Sequence, residues 1–141
     1  MKFVNSTFGW FCLAVLLLGL CGCAGSRPQI EGVWEKIVPA SPGKDSPVVK
    51  ILADGHFAFG RQSSDGSTTW SGGGNYSYDG EKYTETVTYH WVPAIVGMTI
   101  EFDCLVEGGK WFHEAQFVAG GEKFHIDEVW QRIEEPAVDS D

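Results

Sequence analysis

Apolar and polar residues alternate along most of this chain, and no segment shows a helical period. The clearest run is Lys82–Val92. Tyr83, Glu85, Val87, Tyr89 and Trp91 fall on one side, and threonines 84, 86 and 88 on the other. Aromatic and β-branched residues at a two-residue period predict a half-buried strand. Seven more such runs are Gly32–Val38, Val48–Ala53, His56–Gln62, Trp70–Tyr78, Met98–Val106, Lys110–Val118 and Lys123–Ile133. Asp54-Gly55, Asp79-Gly80, Gly108-Gly109 and Gly120-Gly121 read as tight turns, and Pro93–Gly97 as a wider one. Pro39–Pro47 and Ser63–Thr69 read as longer loops. Gly72-Gly73-Gly74 inside the fourth run signals a bulge or a sharp bend. Eight consecutive strands joined mainly by short turns predict an all-β fold, an eight-stranded antiparallel up-and-down β-barrel without a C-terminal helix. Closure removes the exposed edges an open meander would keep.

The turns also set which residues face inward. A two-residue loop at Gly108-Gly109 pairs Val106 with Trp111, Cys104 with His113, Phe102 with Ala115 and Ile100 with Phe117. A similar loop at Gly120-Gly121 pairs Phe117 with Phe124, Ala115 with Ile126, His113 with Glu128 and Trp111 with Trp130. Both registers select the same apolar face. A turn at Asp79-Gly80 pairs Tyr76 with Tyr83 and Gly74 with Glu85, placing Tyr83, Glu85, Val87, Tyr89 and Trp91 inside.

That inner face carries polar groups: Glu85, His113, Glu128 and Arg132, with Tyr76, Tyr83 and Tyr89. Arg61 shares a side with Phe57 and Phe59. Buried charges cost several kcal/mol unless paired. Besides a wet cavity, two readings follow. One is a satisfied internal network, in which Arg132 meets Glu128 or Glu85 and closes one end. The other is a ligand pocket formed by Arg61, Tyr76, Tyr83, Glu85, Tyr89, Phe102, His113, Glu128 and Arg132, with Arg132 or Arg61 receiving an acidic head.

Other chemistry finds less support. Of the four histidines only His113 is expected inside; His56, His90 and His125 fall on the outer side, so no metal site is expected. His113 opposite Glu128 is the best acid–base pair the chain offers, yet the sequence reads as a binding protein, not an enzyme, and calls for no cofactor. Cys104 packs as a small apolar residue.

The chain has 141 residues and a formal net charge of −9, a balance that argues against a nucleic-acid partner. Lys2 followed by the apolar run Phe8–Leu20 reads as a signal peptide over residues 1–22. Leu20-Cys21-Gly22-Cys23 is similar to a bacterial lipobox with Cys23 as the lipidated residue; Cys21, preceded by bulky Leu20, fits less well. Simple secretion after cleavage near Ala24 is the alternative. Residues 23–30 then form a tether, 31–134 the barrel domain and 135–141 a disordered acidic tail. Only Cys104 remains in the domain, so no internal disulfide is available. The expected setting is the bacterial cell envelope, anchored by lipid chains, such as palmitate, at Cys23 to the outer membrane and facing the periplasm.

Gly32-Val33-Trp34 on the first strand and Trp130-Gln131-Arg132 on the last resemble the signature of lipocalins and the wider calycin superfamily. Lys50-Ile51-Leu52, Asp54-Gly55-His56-Phe57, Gly73-Gly74-Asn75-Tyr76, Tyr83-Thr84-Glu85 and Glu128-Val129-Trp130 extend the likeness to short bacterial lipocalin-like domains. The resemblance implies that Trp34 plugs one end of the barrel with Arg132 across its ring. It also implies a monomer that binds a small hydrophobic or amphipathic ligand without catalysis. The alternative is a protein–protein module, a periplasmic inhibitor or envelope assembly factor, that acts through loops Pro39–Pro47 and Ser63–Thr69.

Overall fold

The computed structural model describes residues 29–41, 43 and 45–133. The signal peptide, Cys23 and the acidic tail lie outside the described residues. Eight strands follow in chain order: β1 Gly32–Val38, β2 Val49–Ala53, β3 His56–Gln62, β4 Thr69–Tyr78, β5 Lys82–His90, β6 Thr99–Glu107, β7 Lys110–Ala119 and β8 Glu122–Arg132. Each pairs antiparallel with the next, and β8 returns to β1, so the sheet closes into an up-and-down barrel. One 3₁₀ turn, Pro93–Ile95, interrupts the β5–β6 connection and turns Ile95 into the interior.

Two-residue loops join β2 to β3, β6 to β7 and β7 to β8, as their Asp-Gly and Gly-Gly pairs predict. Asp54, Gly108, Gly109, Gly120 and Gly121 all have positive φ, the backbone twist such hairpins require. The β6–β7–β8 registers agree with the sequence: His113 faces Cys104 on one side and Glu128 on the other, and Trp111 faces Trp130. The Asp79-Gly80 register does not. Tyr78 pairs with Tyr83 and Tyr76 with Glu85, two residues from the expected pairing. The cause is the Asp79 side chain, whose Oδ1 accepts the Glu81 and Lys82 N–H groups at 2.9 and 2.8 Å and holds a four-residue turn. A shift of two preserves the faces.

A bulge then changes the faces near the end of β5. Gly74 pairs with Val87 but Gly73 with Tyr89, leaving Thr88 without an opposite residue. Its hydroxyl donates to the Gly73 carbonyl at 3.2 Å. The alternation slips by one, so Tyr89 points outward, 49% exposed, instead of inward as its period suggests. Its hydroxyl end lies where a Cβ on Gly73 would come within 2.5 Å. His90, expected outside, turns in beside Phe59 at 5.5 Å between ring centroids.

The connections divide between two ends. The tight β2–β3, β4–β5 and β6–β7 turns share one end with the start of β1 and the end of β8. The long loops and the 3₁₀ turn share the other. The first end is closed. Trp34, Trp111, Trp130 and Tyr83 are buried there, with Trp34 and Trp111 edge to face at 5.6 Å and Tyr83 and Trp111 at 4.9 Å. Ile30 is fully buried and its carbonyl accepts the Trp34 indole N–H at 2.8 Å. The expected tether therefore stops short of residue 30, because Ile30 supplies apolar surface the plug needs.

Arg132 completes the closure. Its guanidinium carbon stands 4.2 Å from the Trp34 ring centroid. The acidic partner expected for it, Glu128 or Glu85, is absent from its contacts. Nη1 donates to the Glu31 carbonyl at 2.6 Å and Nη2 to that of Gln29. Gly32 has φ +130°, and a Cβ there would lie 2.5 Å from Arg132 Nη1. The Gly-x-Trp spacing thus has a physical reason: glycine admits the guanidinium that covers the tryptophan one side-chain pair further on.

Candidate functional site

Above the tryptophan plug the barrel encloses a cavity of about 510 Å³ that opens at the long-loop end. Val48, Phe59, Val87, Ile100, Phe102 and Ile126 wall it, and Trp70, Trp91 and Pro39 stand at the mouth. Pockets of about 300–1,000 Å³ with apolar walls and few polar groups are the usual form of small-molecule sites.

The floor is an ion pair. Lys50 on β2 lies two residues from buried Val48, just before the strand, and two from buried Leu52, so the same pleat carries the ammonium inward. Its Nζ donates to Glu85 Oε1 at 2.7 Å, and Tyr83 Oη donates to the same oxygen at 2.8 Å. Five rings surround the Nζ: Trp130 at 5.0 Å, Trp111 at 5.2 Å, Tyr83 at 5.4 Å, Phe57 at 5.5 Å and Phe59 at 6.0 Å. Ring faces offset part of the hydration the ammonium loses, and the carboxylate compensates its charge.

A second group lies beside it. Lys36 Nζ donates to Glu128 Oε1 at 3.1 Å, and Glu128 Oε2 stands 2.8 Å from His113 Nε2. Trp130 Nε1 donates to the same carboxylate oxygen at 3.1 Å. Burial pushes the His113 imidazole below its ordinary pKa, and Lys50 adds to the shift, so the ring is neutral near pH 7. Burial acts to raise Glu128. The hydrogen bond from His113 and the nearby charge of His113, Lys50 and Lys36 together outweigh it and hold that carboxyl down at about 2. The tautomer that fits has the proton on Nε2, donated to Glu128. That leaves His113 Nδ1 a buried acceptor without a partner among the described residues.

At the rim Arg61 stacks on Trp70, 4.0 Å from guanidinium carbon to ring centroid, and faces Asp45 Oδ2 at 3.5 Å.

Of the residues the sequence nominates, Arg61, Glu85, Phe102, His113 and Glu128 line this one cavity. Four do not. Tyr83 lies beneath the floor and supports Glu85 through its hydroxyl. Tyr76 sits lower still, donating to Glu31 Oε1 at 3.2 Å; burial, reinforced by that carboxylate, pushes its hydroxyl up to about 12. Tyr89 is outside through the β5 bulge, and Arg132 belongs to the closed end. Sequence reasoning missed Lys36 and Lys50, the two cations of the floor, His90 in the wall and Trp70 at the mouth. The signal for both lysines was present, since each is flanked two residues away by a buried apolar residue: Trp34 for Lys36, Val48 and Leu52 for Lys50.

Among the described residues no three His, Cys, Asp or Glu side chains converge to hold a metal ion. Cys104 is half-buried and donates through sulfur to the Glu81 carbonyl; burial raises its thiol pKa. Such a thiol is a poor nucleophile. The arrangement is suited to holding a molecule with an apolar body and a polar end.

No curated protein matches the sequence. The model of a family described as a domain of unknown function, DUF4488, matches residues 29–140. That span takes in the buried Ile30, all eight strands and every residue of the floor, so the chain belongs to the DUF4488 family.

Proposed function

We propose that this protein is a lipid-anchored protein of the bacterial cell envelope that holds a small hydrophobic or amphipathic molecule inside a lipocalin-like barrel. The observation that carries the reading is the cavity of about 510 Å³ with two lysine–carboxylate pairs at its floor. A barrel built for stability alone would fill that volume with side chains. Interiors normally pack without large voids, and hydrophobic replacements of buried ion pairs are often neutral or stabilising. Cavity and charges together therefore favour an occupant.

The anchor fits this reading geometrically. Gln29 and Ile30 lie at the closed end. A lipidated Cys23 would be separated from them by a tether of at most roughly 20 Å. The closed end would then face the bilayer and the mouth would face the aqueous compartment. The acid–base pair His113 and Glu128 serves binding here: both are tied into one hydrogen-bonded group with Lys36 and Trp130.

Native mass spectrometry of the protein purified from its own cells tests the reading. One small molecule per chain, released on unfolding, is the expected result. A protein that carries no added mass and takes up no hydrophobic probe would overturn it. Capture of one protein partner that depends on loop 63–69 and survives filling of the cavity would favour the protein–protein alternative.

A further inference from the structure

The charges in the cavity constrain the polar end of the ligand, given the binding reading above. Three cations reach the cavity wall, Lys36, Lys50 and Arg61, and each already has its own carboxylate: Glu128, Glu85 and Asp45. His113 is neutral. Among the described residues no cation of the cavity is left over for an acidic head, Arg61 included, and Arg132 is at the other end of the barrel. An ionised head would have to break a buried pair or sit beside a like charge, and either costs several kcal/mol in such a site.

The floor nevertheless has open hydrogen-bonding positions. Glu85 takes both its hydrogen bonds on Oε1, leaving Oε2 free among the described residues. Lys50 has three N–H donors, and its one oxygen partner among the described residues is Glu85. A donor and an acceptor therefore stand side by side on one ion pair, at the bottom of an apolar shaft.

We propose that the ligand enters head first and that its buried head is an uncharged group that both donates and accepts, a hydroxyl or a carboxamide. Such a head accepts an N–H from Lys50 and donates a hydrogen bond to Glu85 Oε2. It completes the floor without changing its net charge. The chain of the ligand runs past Phe102, Val87 and Ile100 toward Trp91.

Four molecules of equal chain length test this by calorimetry at pH 7.5: decanol, decanamide, decanoate and decylammonium. The expected order places decanol and decanamide at least about tenfold tighter than either ion, a gap of about 1.4 kcal/mol. Glu85→Gln leaves Lys50 without its anion, so decanoate should gain about tenfold or more and overtake decanol. Wild-type protein that prefers decanoate or decylammonium would overturn the head-group assignment while leaving the cavity reading standing. Failure of all four to bind would overturn the cavity reading and this inference with it. The wild-type ranking decides the question even if Glu85→Gln does not fold.

Discussion

Replacing Arg132 by alanine probes the closure of the barrel. The side chain makes three contacts that the change removes together: the stack on Trp34 at 4.2 Å and the donations to the Glu31 and Gln29 carbonyls. A partly exposed cation–π contact contributes about 1 kcal/mol, and a hydrogen bond from a charged donor about 1.5 kcal/mol or more. The guanidinium is half-buried, so part of each contribution is recovered by water; a loss of about 2–3 kcal/mol is expected. Trp34→Ala removes a fully buried indole and should cost about 3–5 kcal/mol. In the double variant the stacking contact is lost only once, so the combined loss should fall short of the sum by about 1 kcal/mol. Urea unfolding of the four proteins, followed by far-ultraviolet circular dichroism, measures the cycle. Arg132→Lys should lie between wild type and alanine, because an ammonium keeps the charge but not the planar stack. Losses that add to within about 0.5 kcal/mol would show the two residues to be energetically independent and would refute the closure.

The floor and the proposed anchor give three further expectations. Lys50→Met leaves Glu85 buried without its cation and should cost about 3–5 kcal/mol, most of it recovered when Glu85→Gln is added; urea unfolding of both variants checks this. Stability should fall on acidification in two windows. His113 has a lowered folded pKa, so the unfolded chain binds its proton first and stability drops as pH falls below about 6.5. Glu128, held at about 2 against an ordinary 4.5, extends the loss from about pH 5 down toward 2; unfolding midpoints against pH should show the lower window flattened in Glu128→Gln. Cys23→Ser should move the protein from the membrane fraction to the soluble fraction or leave it unprocessed, while Cys21→Ser should change little; fractionation with radiolabelled palmitate reads both.

The barrel was legible because its turns are. Glycine pairs at 108–109 and 120–121 can adopt one hairpin geometry, and that geometry sets β6, β7 and β8 in register, including His113 against Glu128. One feature escaped because it depends on a side chain acting on backbone, and a second was legible only in part. Asp79 captures two N–H groups and lengthens its turn, an effect invisible in the Asp-Gly pair itself. The glycine run at 72–74 signals the bulge, but not that its extra residue is Thr88 on the opposite strand, which reverses Tyr89 and His90. Lys50 escaped for another reason. A lysine inside a strand suggests solvent, and only the five rings and one carboxylate around it reverse that expectation. Those partners come from β3, β5, β7 and β8, so no local stretch of sequence announces them.

The central claim is that the cavity above the tryptophan plug is where a small molecule sits. A cavity-filling variant tests it most directly. Ile100 is buried in the cavity wall, and Ile100→Trp places an indole in the space a ligand would use. Titration with an environment-sensitive fluorescent amphiphile should show one site per chain in the wild type and none in Ile100→Trp, with the same barrel circular dichroism in both. Equal binding in the two proteins would contradict the account, because the probe would then be held on the outside of the barrel.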